Sequence, residues 1–300
     1  MFLPFARRPG HSVMIASLHT MTRLFLFGLM LTAALPSEIL AAGDIEFFSS
    51  KKVGENPHAA LLRSPSINTL YMYSAETKRH YMEFDFGAKI PAITYHDKEI
   101  DVELGGTGGI FTRFELFSQS FNFVHADFTG MLFTDVRYRQ FLFETSVYHT
   151  SSHIGDDYIR YNLAAVRNTG FEAVRHYFSY SMPFAEISIG FEYKFSRRPK
   201  QTIIGNPSIF LGNRINLLRA GIPVFIEWEA EFIAGPYLPS IGIKAGIYLR
   251  YLFNTVLLGK DSGGKEAHEL SVYYYYGYSK MGCFSRQRES LILFGPTYRY

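Results

Sequence analysis

The sequence is poor in several features that mark other classes of protein. Its 300 residues include a single cysteine, Cys283, so the chain cannot form an internal disulfide bond. Acidic and basic residues nearly balance, and the net charge of +3 points to no polyanionic partner and to no nucleic acid. One apolar run near the N-terminus has a core of about a dozen residues, short of the roughly 20 that a transmembrane helix needs, and no later apolar run is long enough. A membrane role would therefore require β-strands.

The one apolar run has the composition of a secretory signal peptide. Arg23 precedes an apolar core at residues 24–35, and the small residues Ala41 and Ala42 follow. This order of basic, apolar and small residues predicts cleavage near Ala42. We therefore expect residues 1–42 to be a signal peptide whose first 20 residues are an extension from an upstream start codon. Residues 43–68 show no period and contain turn formers, which indicates a periplasmic N-terminal lead.

What the sequence has in abundance is aromatic residues that alternate with polar ones. It contains 28 Phe and 21 Tyr, and an aromatic excess favours strands. The clearest segment is 224–232, where Glu227, Glu229 and Glu231 share one face and Trp228 lies on the other. No helical period is sustained. The alternation predicts about twelve strands, with ten as the lower bound, near residues 69–74, 81–88, 99–116, 121–135, 139–153, 168–181, 184–195, 206–217, 224–232, 239–252, 267–280 and 289–300.

Two architectures accommodate strands with one apolar face. A soluble sandwich turns that face inward, whereas an outer-membrane barrel turns it to lipid and keeps polar residues in the lumen. The strands reach about ten residues, which suits a tilted membrane crossing. The chain ends with Ile292, Phe294, Tyr298 and Tyr300 on one face, and this ending is similar to the terminal-strand signal that the barrel assembly machinery reads. We predict that residues 69–300 form an all-β, antiparallel transmembrane β-barrel, with outer-membrane lipid and the assembly machinery as partners.

The predicted lumen is crowded with charge. If the strands at 222–233 and 239–252 form a hairpin, the glutamates of the first can face Lys244 and Arg250 of the second. Opposite charges on neighbouring strands attract, and a barrel of about twelve strands has a narrow lumen. We therefore expect a plugged or nearly closed barrel, with a narrow solute channel as an alternative.

The densest set of reactive residues lies on the strand that begins at Phe141. From there the chain reads FLFETSVYHTSSHIGDD, which contains two histidines, several hydroxyls and two aspartates. Because Glu144 belongs in the lumen, the odd-numbered positions of this strand are expected to face lipid. His149, Ser151 and His153 are then predicted to lie on the outer wall, at the rim of the barrel.

The second half of this stretch resembles the signature of a bacterial outer-membrane family, the domain of unknown function 1207. From His149 to Asp157 the chain reads HTSSHIGDD, and members of that family carry a similar His-x-Ser-Ser-His-Leu-Gly-Asp-Glu run. The resemblance implies an outer-membrane location and little about activity.

A more distant likeness is to outer-membrane phospholipase A and the lipid A deacylase, which are lipid hydrolases with a His-x-Ser pair on the outer barrel wall. His149 and Ser151 match that pair, and their spacing places both side chains on one face of a strand. The resemblance implies that Ser151 is a nucleophile and that His149 takes its proton. It also implies a third residue that orients the imidazole, for which Asn162 and Glu172 are candidates. Both hydrolase families follow the pair with Ser-Asn-Gly or similar, whereas this chain has Ser-His.

Two other interpretations of the stretch stay open. Its polar residues could simply end a strand of a structural or envelope-related barrel. Alternatively, His153, Asp156 and Asp157, together with His149, could bind a metal ion. Imidazole and carboxylate ligands suit zinc, and aspartate oxygens alone suit calcium. A calcium ion in this loop could polarise an ester carbonyl.

Overall fold

The computed structural model describes parts of the chain between residues 44 and 299. The predicted signal peptide lies outside the described residues, as do Asp157, Asn162, Arg250 and Tyr300. Among the residues that are described, no helix is both long enough and apolar enough to cross a membrane. The description covers residues 44–48, 53, 66–118, 121–156, 158–159, 168–195, 207–219, 222–248, 267–285 and 287–299.

Thirteen strands form one antiparallel sheet in the described part of the chain. Consecutive strands pair from β2 to β13, and β13 pairs with β2, so these twelve strands close into a barrel. The predicted fold class and strand number are confirmed. The strands are β1 (Asp44–Phe47), β2 (Ile67–Ser74), β3 (Arg79–His96), β4 (Ile100–Glu115), β5 (Asn122–Tyr138), β6 (Phe141–Ile154), β7 (Thr169–Ser181), β8 (Ala185–Phe195), β9 (Pro207–Arg219), β10 (Ile222–Ile233), β11 (Ser240–Tyr248), β12 (Ala267–Tyr278) and β13 (Arg288–Arg299).

Strand β1 is the one strand that the alternation does not predict. It pairs with the last four residues of β3, from Ile93 to His96. The pairing of β2 with β3 extends only to Phe86, so the end of β3 has a free edge that β1 occupies. The segment predicted as an N-terminal lead therefore begins with a short strand on the barrel.

The exterior of the barrel is apolar, whereas much of the interior is lined by polar side chains. On β10, Trp228 and Phe232 are exposed on the outside, while Glu227, Glu229 and Glu231 point inward and are each only 2% exposed. This is the alternation that the sequence predicts for this strand. A belt of exposed aromatic and aliphatic side chains around a closed barrel requires lipid as its solvent. The barrel therefore spans a membrane.

Buried ion pairs fill the lumen. The register places Glu227 opposite Lys244, as predicted, but the Lys244 ammonium binds Glu269 on β12, and neither of these two side chains has exposed surface. The rings of Phe225 and Tyr273 flank the ammonium, with centroids at 5.0 and 4.8 Å. The partner of Lys244 therefore comes from β12, the other strand that pairs with β11, and not from β10. A cavity of about 10 Å³ beside Glu227 has room for about one water molecule.

The connection between β12 and β13 folds into one end of the barrel and is called the mouth cap (residues 279–285). It contains a single turn of 3-10 helix, Gly282–Phe284. The ring of Phe284 contacts those of His125 and Tyr158, with centroids 5.6 and 5.4 Å away. The ammonium of Lys280 binds the carboxylate of Glu231. The cap thus closes the mouth over a buried cluster that also contains Leu70, Met72, Tyr81, Val124, Tyr177, Phe210, Tyr273, Tyr275, Leu291 and Leu293.

The lengths of the connections distinguish the two ends of the barrel. At one end, four connections have only two or three residues, and the exception, 249–266, lies outside the described residues. Outer-membrane barrels have short turns at the periplasmic face and longer loops outside the cell. The opposite end, which carries the mouth cap and the end of β6 at Ile154, is therefore the extracellular end.

Candidate active site on the outer wall

Strand β6 presents three reactive side chains to the outside. Its pairing with β5 and with β7 runs without a register shift, so the side chains alternate strictly between lumen and exterior. Thr150 and Ser152 are buried in the lumen, whereas His149 and His153 are exposed and Ser151 is half-buried on the outer wall. The predicted orientation of these residues is confirmed.

Ser151 has an imidazole within hydrogen-bond distance. Its Oγ lies 2.9 Å from Nε2 of His153, so the hydroxyl donates when that nitrogen is unprotonated. The ring of Phe128 on β5 meets the His153 ring edge-on, with centroids 5.7 Å apart. Such a contact limits the rotation of the imidazole. A hydroxyl that donates to an oriented imidazole is the arrangement from which a serine is activated as a nucleophile.

His149 faces a carboxylate on the next strand. Glu172 of β7 is its register partner, and the His149 Nδ1 lies 3.5 Å from the Glu172 Oε1. Gly170, the register partner of Ser151, has no side chain, and a Cβ at that position would lie 3.6 Å from Cε1 of the His149 ring. The imidazole of His149 therefore leans over Gly170, beside Ser151. Of the two candidates for an orienting residue, Glu172 lies next to this imidazole, and Asn162 is outside the described residues.

The described residues do not assemble a metal site. Asp156 is exposed at the start of the β6–β7 connection, and Asp157 lies outside the described residues. Within the described part of the chain, no three His, Cys, Asp or Glu side chains come together to hold a metal ion. The metal-binding role of His153, Asp156 and Asp157 stays a prediction.

Phe128 and Gly170 are contacts of the site that the sequence analysis did not predict. The signal for Phe128 was present, because β5 and β6 are joined by the two residues Arg139 and Gln140. A two-residue turn fixes the register of a hairpin, and counting back from this turn places Phe128 opposite Ser151. No comparable signal places Gly170, because the β6–β7 connection is long.

The part of the barrel that carries the outward polar side chains matches the model of a protein family. Residues 71–212 match the model described as a protein of unknown function (DUF1207). The matched range runs from β2 into β9 and includes all of β6. The match confirms the resemblance to the DUF1207 family, and the description of the model names no activity.

Solved structures of two outer-membrane proteins confirm the barrel fold. Outer membrane phospholipase A from Escherichia coli aligns with a TM-score of 0.55 and 10% identity, over 82% of this chain and 95% of that one. The Salmonella typhi outer membrane phospholipase, described as a dimer with bound calcium, aligns with a TM-score of 0.55 and 9% identity, over 78% and 91%. At such identities the likeness establishes the fold alone. No curated protein matches the chain.

Proposed function

We propose that this barrel hydrolyses acyl esters of lipid at the extracellular side of the outer membrane. The observation that carries the proposal is the Ser151 Oγ at 2.9 Å from the His153 Nε2 on the outer wall. In this position the hydroxyl faces lipid rather than the aqueous lumen, close to the barrel rim, where the ester groups of lipids lie. The fold shared with two phospholipases is compatible with such an activity but is not by itself evidence for it.

The side chains are sufficient for a two-step acyl transfer. Ser151 Oγ forms a bond to the acyl carbonyl carbon, and Nε2 of His153 accepts the hydroxyl proton. The imidazolium then gives this proton to the alcohol oxygen as the carbon–oxygen bond of the ester breaks, which leaves an acyl group on Ser151. Water attacks that acyl group with the same imidazole as base, and the fatty acid leaves as Ser151 regains its proton.

The assignment of the base differs from the one implied by the His-x-Ser resemblance. That resemblance gives the role to His149, with Glu172 or Asn162 as the orienting residue. The hydrogen bond of Ser151 favours His153, and it leaves His149 and Glu172 as a separate imidazole–carboxylate pair beside the reacting carbonyl. In this arrangement His149 is suited to stabilise the charge that develops on the carbonyl oxygen.

Fatty-acid release from phospholipid by the purified protein in detergent tests the proposal. Ser151→Ala removes the nucleophile and should lower turnover by at least about 10³-fold. Ser152→Ala is the matched control, because Ser152 is the same residue type at the next position and points into the lumen. Equal rates for the wild type and Ser151→Ala would refute hydrolysis at this site.

Two histidine variants separate the possible bases. His153→Ala should lower turnover by about 10²- to 10⁴-fold, the range expected on removal of a general base. His149→Ala should cause a smaller loss. If His149→Ala is inactive and His153→Ala retains wild-type activity, the base is His149 and Glu172 is its orienting residue.

Calcium dependence is a separate arm of the same assay. Of the predicted carboxylate pair, Asp156 alone lies among the described residues. A single carboxylate does not make a calcium site. None of the steps above uses a metal ion. Turnover that is lost with a chelator and restored by calcium would support the predicted role of Asp156 and Asp157.

A further inference from the structure

An arginine lies on the outer wall at the extracellular rim of the barrel. Arg288 is the first residue of β13, the strand that follows the mouth cap. The next residue, Glu289, points into the lumen, where its carboxylate binds Arg113. Ile292 on the same strand is exposed on the outside. Because side chains alternate along a strand, Arg288 lies on the same face as Ile292 and points outward.

Two tyrosine rings hold the guanidinium of Arg288. Its Cζ lies 4.5 Å from the centroid of the Tyr276 ring and 5.1 Å from that of the Tyr278 ring. Both tyrosines are on β12, and Tyr278 is the register partner of Arg288. The face of an aromatic ring attracts a cation, and aromatic girdles mark the two interfaces of a membrane barrel. The guanidinium is therefore held at the level of the lipid head groups.

Most of the N–H groups of this guanidinium have no acceptor. Nε and Nη1 are covered by the protein and have no hydrogen-bond partner. Nη2 donates to the carbonyl oxygen of Pro239 over 3.5 Å, which is longer than a usual N–H···O bond. A covered cation without an acceptor costs free energy. The site is therefore suited to an anion that the described residues do not supply.

The other described arginines find acceptors within the protein. Arg137 donates from Nε to a backbone carbonyl oxygen at 2.6 Å. Five bind carboxylates, namely Arg79, Arg113, Arg139, Arg175 and Arg214. Among the arginines whose side chains the structure describes, Arg288 is therefore the one that forms neither an ion pair nor a hydrogen bond shorter than 3.5 Å.

The turn between β2 and β3 adds a second cation to this part of the rim. The N–H of Ala75 donates to the carbonyl oxygen of Ser290 at 2.9 Å, so the turn adjoins the start of β13. Lys78 in this turn is exposed and forms no ion pair with a described residue. The carboxylate of Glu76 in the same turn accepts the N–H of Ser290 at 2.6 Å. For outward cations at a membrane interface, the anions within reach are the phosphates of lipid head groups, and a guanidinium binds phosphate through charge-assisted hydrogen bonds.

We infer that Arg288, held by Tyr276 and Tyr278, binds the phosphate group of a membrane lipid at the extracellular rim. A phosphate oxygen accepts from Nη2 in place of the long bond to Pro239, and its charge balances that of the guanidinium. The site lies five strands around the barrel from β6. It is therefore separate from Ser151, and the inference does not rest on the proposed hydrolysis. A lipid at this site is one that the barrel holds rather than one that it cleaves.

Lipid binding by the purified protein tests the inference. Native mass spectrometry in a non-ionic detergent gives the Kd of an ether-linked phosphatidylglycerol, which has no acyl ester and is not consumed by the proposed hydrolysis. Arg288→Gln removes the charge and should raise this Kd by about tenfold or more, as expected for the loss of charge-assisted hydrogen bonds. An ether-linked dialkylglycerol with the same chains lacks the phosphate, and its Kd should be the same for the wild type and the variant.

Arg139→Gln is the matched control. The Arg139 guanidinium lies at the periplasmic end, 5.1 Å from the centroid of the Tyr138 ring, and it also binds Glu99 at 2.5 Å. This variant removes the same charge and the same kind of ring contact, but the arginine that it removes already has a carboxylate partner. Its Kd for the phosphatidylglycerol should equal that of the wild type.

Heat-modifiable gel mobility checks that each variant is folded. Arg288→Lys keeps the charge but loses the planar fork of donors, so it should show an intermediate Kd. If Arg288→Gln does not fold, the comparison of the wild type with Arg288→Lys decides, and equal Kd values would overturn the site. Equal Kd values for the wild type and Arg288→Gln, or the same loss in Arg139→Gln, would overturn it as well. Displacement of the phosphatidylglycerol by an equal concentration of inorganic phosphate would assign the site to a free anion and contradict the binding of a lipid.

Discussion

At the scale of single residues, Gly105 on β4 is one of the positions where the neighbouring backbone leaves no space for a side chain. A Cβ there would lie 2.2 Å from the carbonyl oxygen of Ile90 and 2.7 Å from the ring of Phe133. The close approach accompanies a register shift between Pro91 and Ile93 on the neighbouring strand β3. The run of glycines at this point thus includes a close backbone contact, as such a run in a strand indicates.

Gly105→Ala should destabilise the barrel by about 1–3 kcal/mol, because the added methyl group overpacks the contact with Ile90. The measurement is the temperature at which the folded band disappears in heat-modifiable gel electrophoresis. Gly108→Ala is the control, since the added methyl group there meets no atom within 4 Å. Similar midpoints for the two variants would show that the strand moves away from Gly105 at little cost.

At the scale of secondary-structure elements, the mouth cap is expected to stabilise the barrel through Phe284. Phe284→Ala removes a buried ring that packs on His125 and Tyr158, and a loss of about 3–5 kcal/mol is expected. Phe294→Ala on β13 is the control, because Phe294 faces lipid and is 50% exposed. Thermal midpoints of the two variants, measured in the same detergent, provide the test. A smaller effect of Phe284→Ala than of Phe294→Ala would mean that the cap is not part of the stable core.

The strands also show how much of the structure can be predicted from the sequence. Alternation predicts the twelve barrel strands and the outward face of His149, Ser151 and His153, because a period of two is a local property. It does not predict β1, whose four residues are too short to show a period. The choice of His153 as the hydrogen-bond partner of Ser151 could not be predicted either, since both histidines lie on the same face of β6 as Ser151 and at the same spacing from it.

At the scale of the whole molecule, the filled lumen should prevent free passage of solutes. Lys244 and Glu269 are fully buried, and Lys280 joins Glu231 beneath the mouth cap. Purified protein in planar bilayers should therefore show little steady conductance. Large and stable channels would contradict the closed barrel and would favour the alternative of a solute channel.

The seam at which the barrel closes also has a kinetic consequence. All other neighbours in the closed barrel are consecutive strands, whereas β2 and β13 pair residues as distant in sequence as Ile67 and Tyr298. Contacts between distant residues form slowly, because the intervening chain must first be ordered. The ladder at this seam is also interrupted, with no β2 partners opposite Gly295 and Pro296. Closure of this seam is therefore expected to be the last and slowest step of folding, and until it occurs both edge strands can pair with another chain.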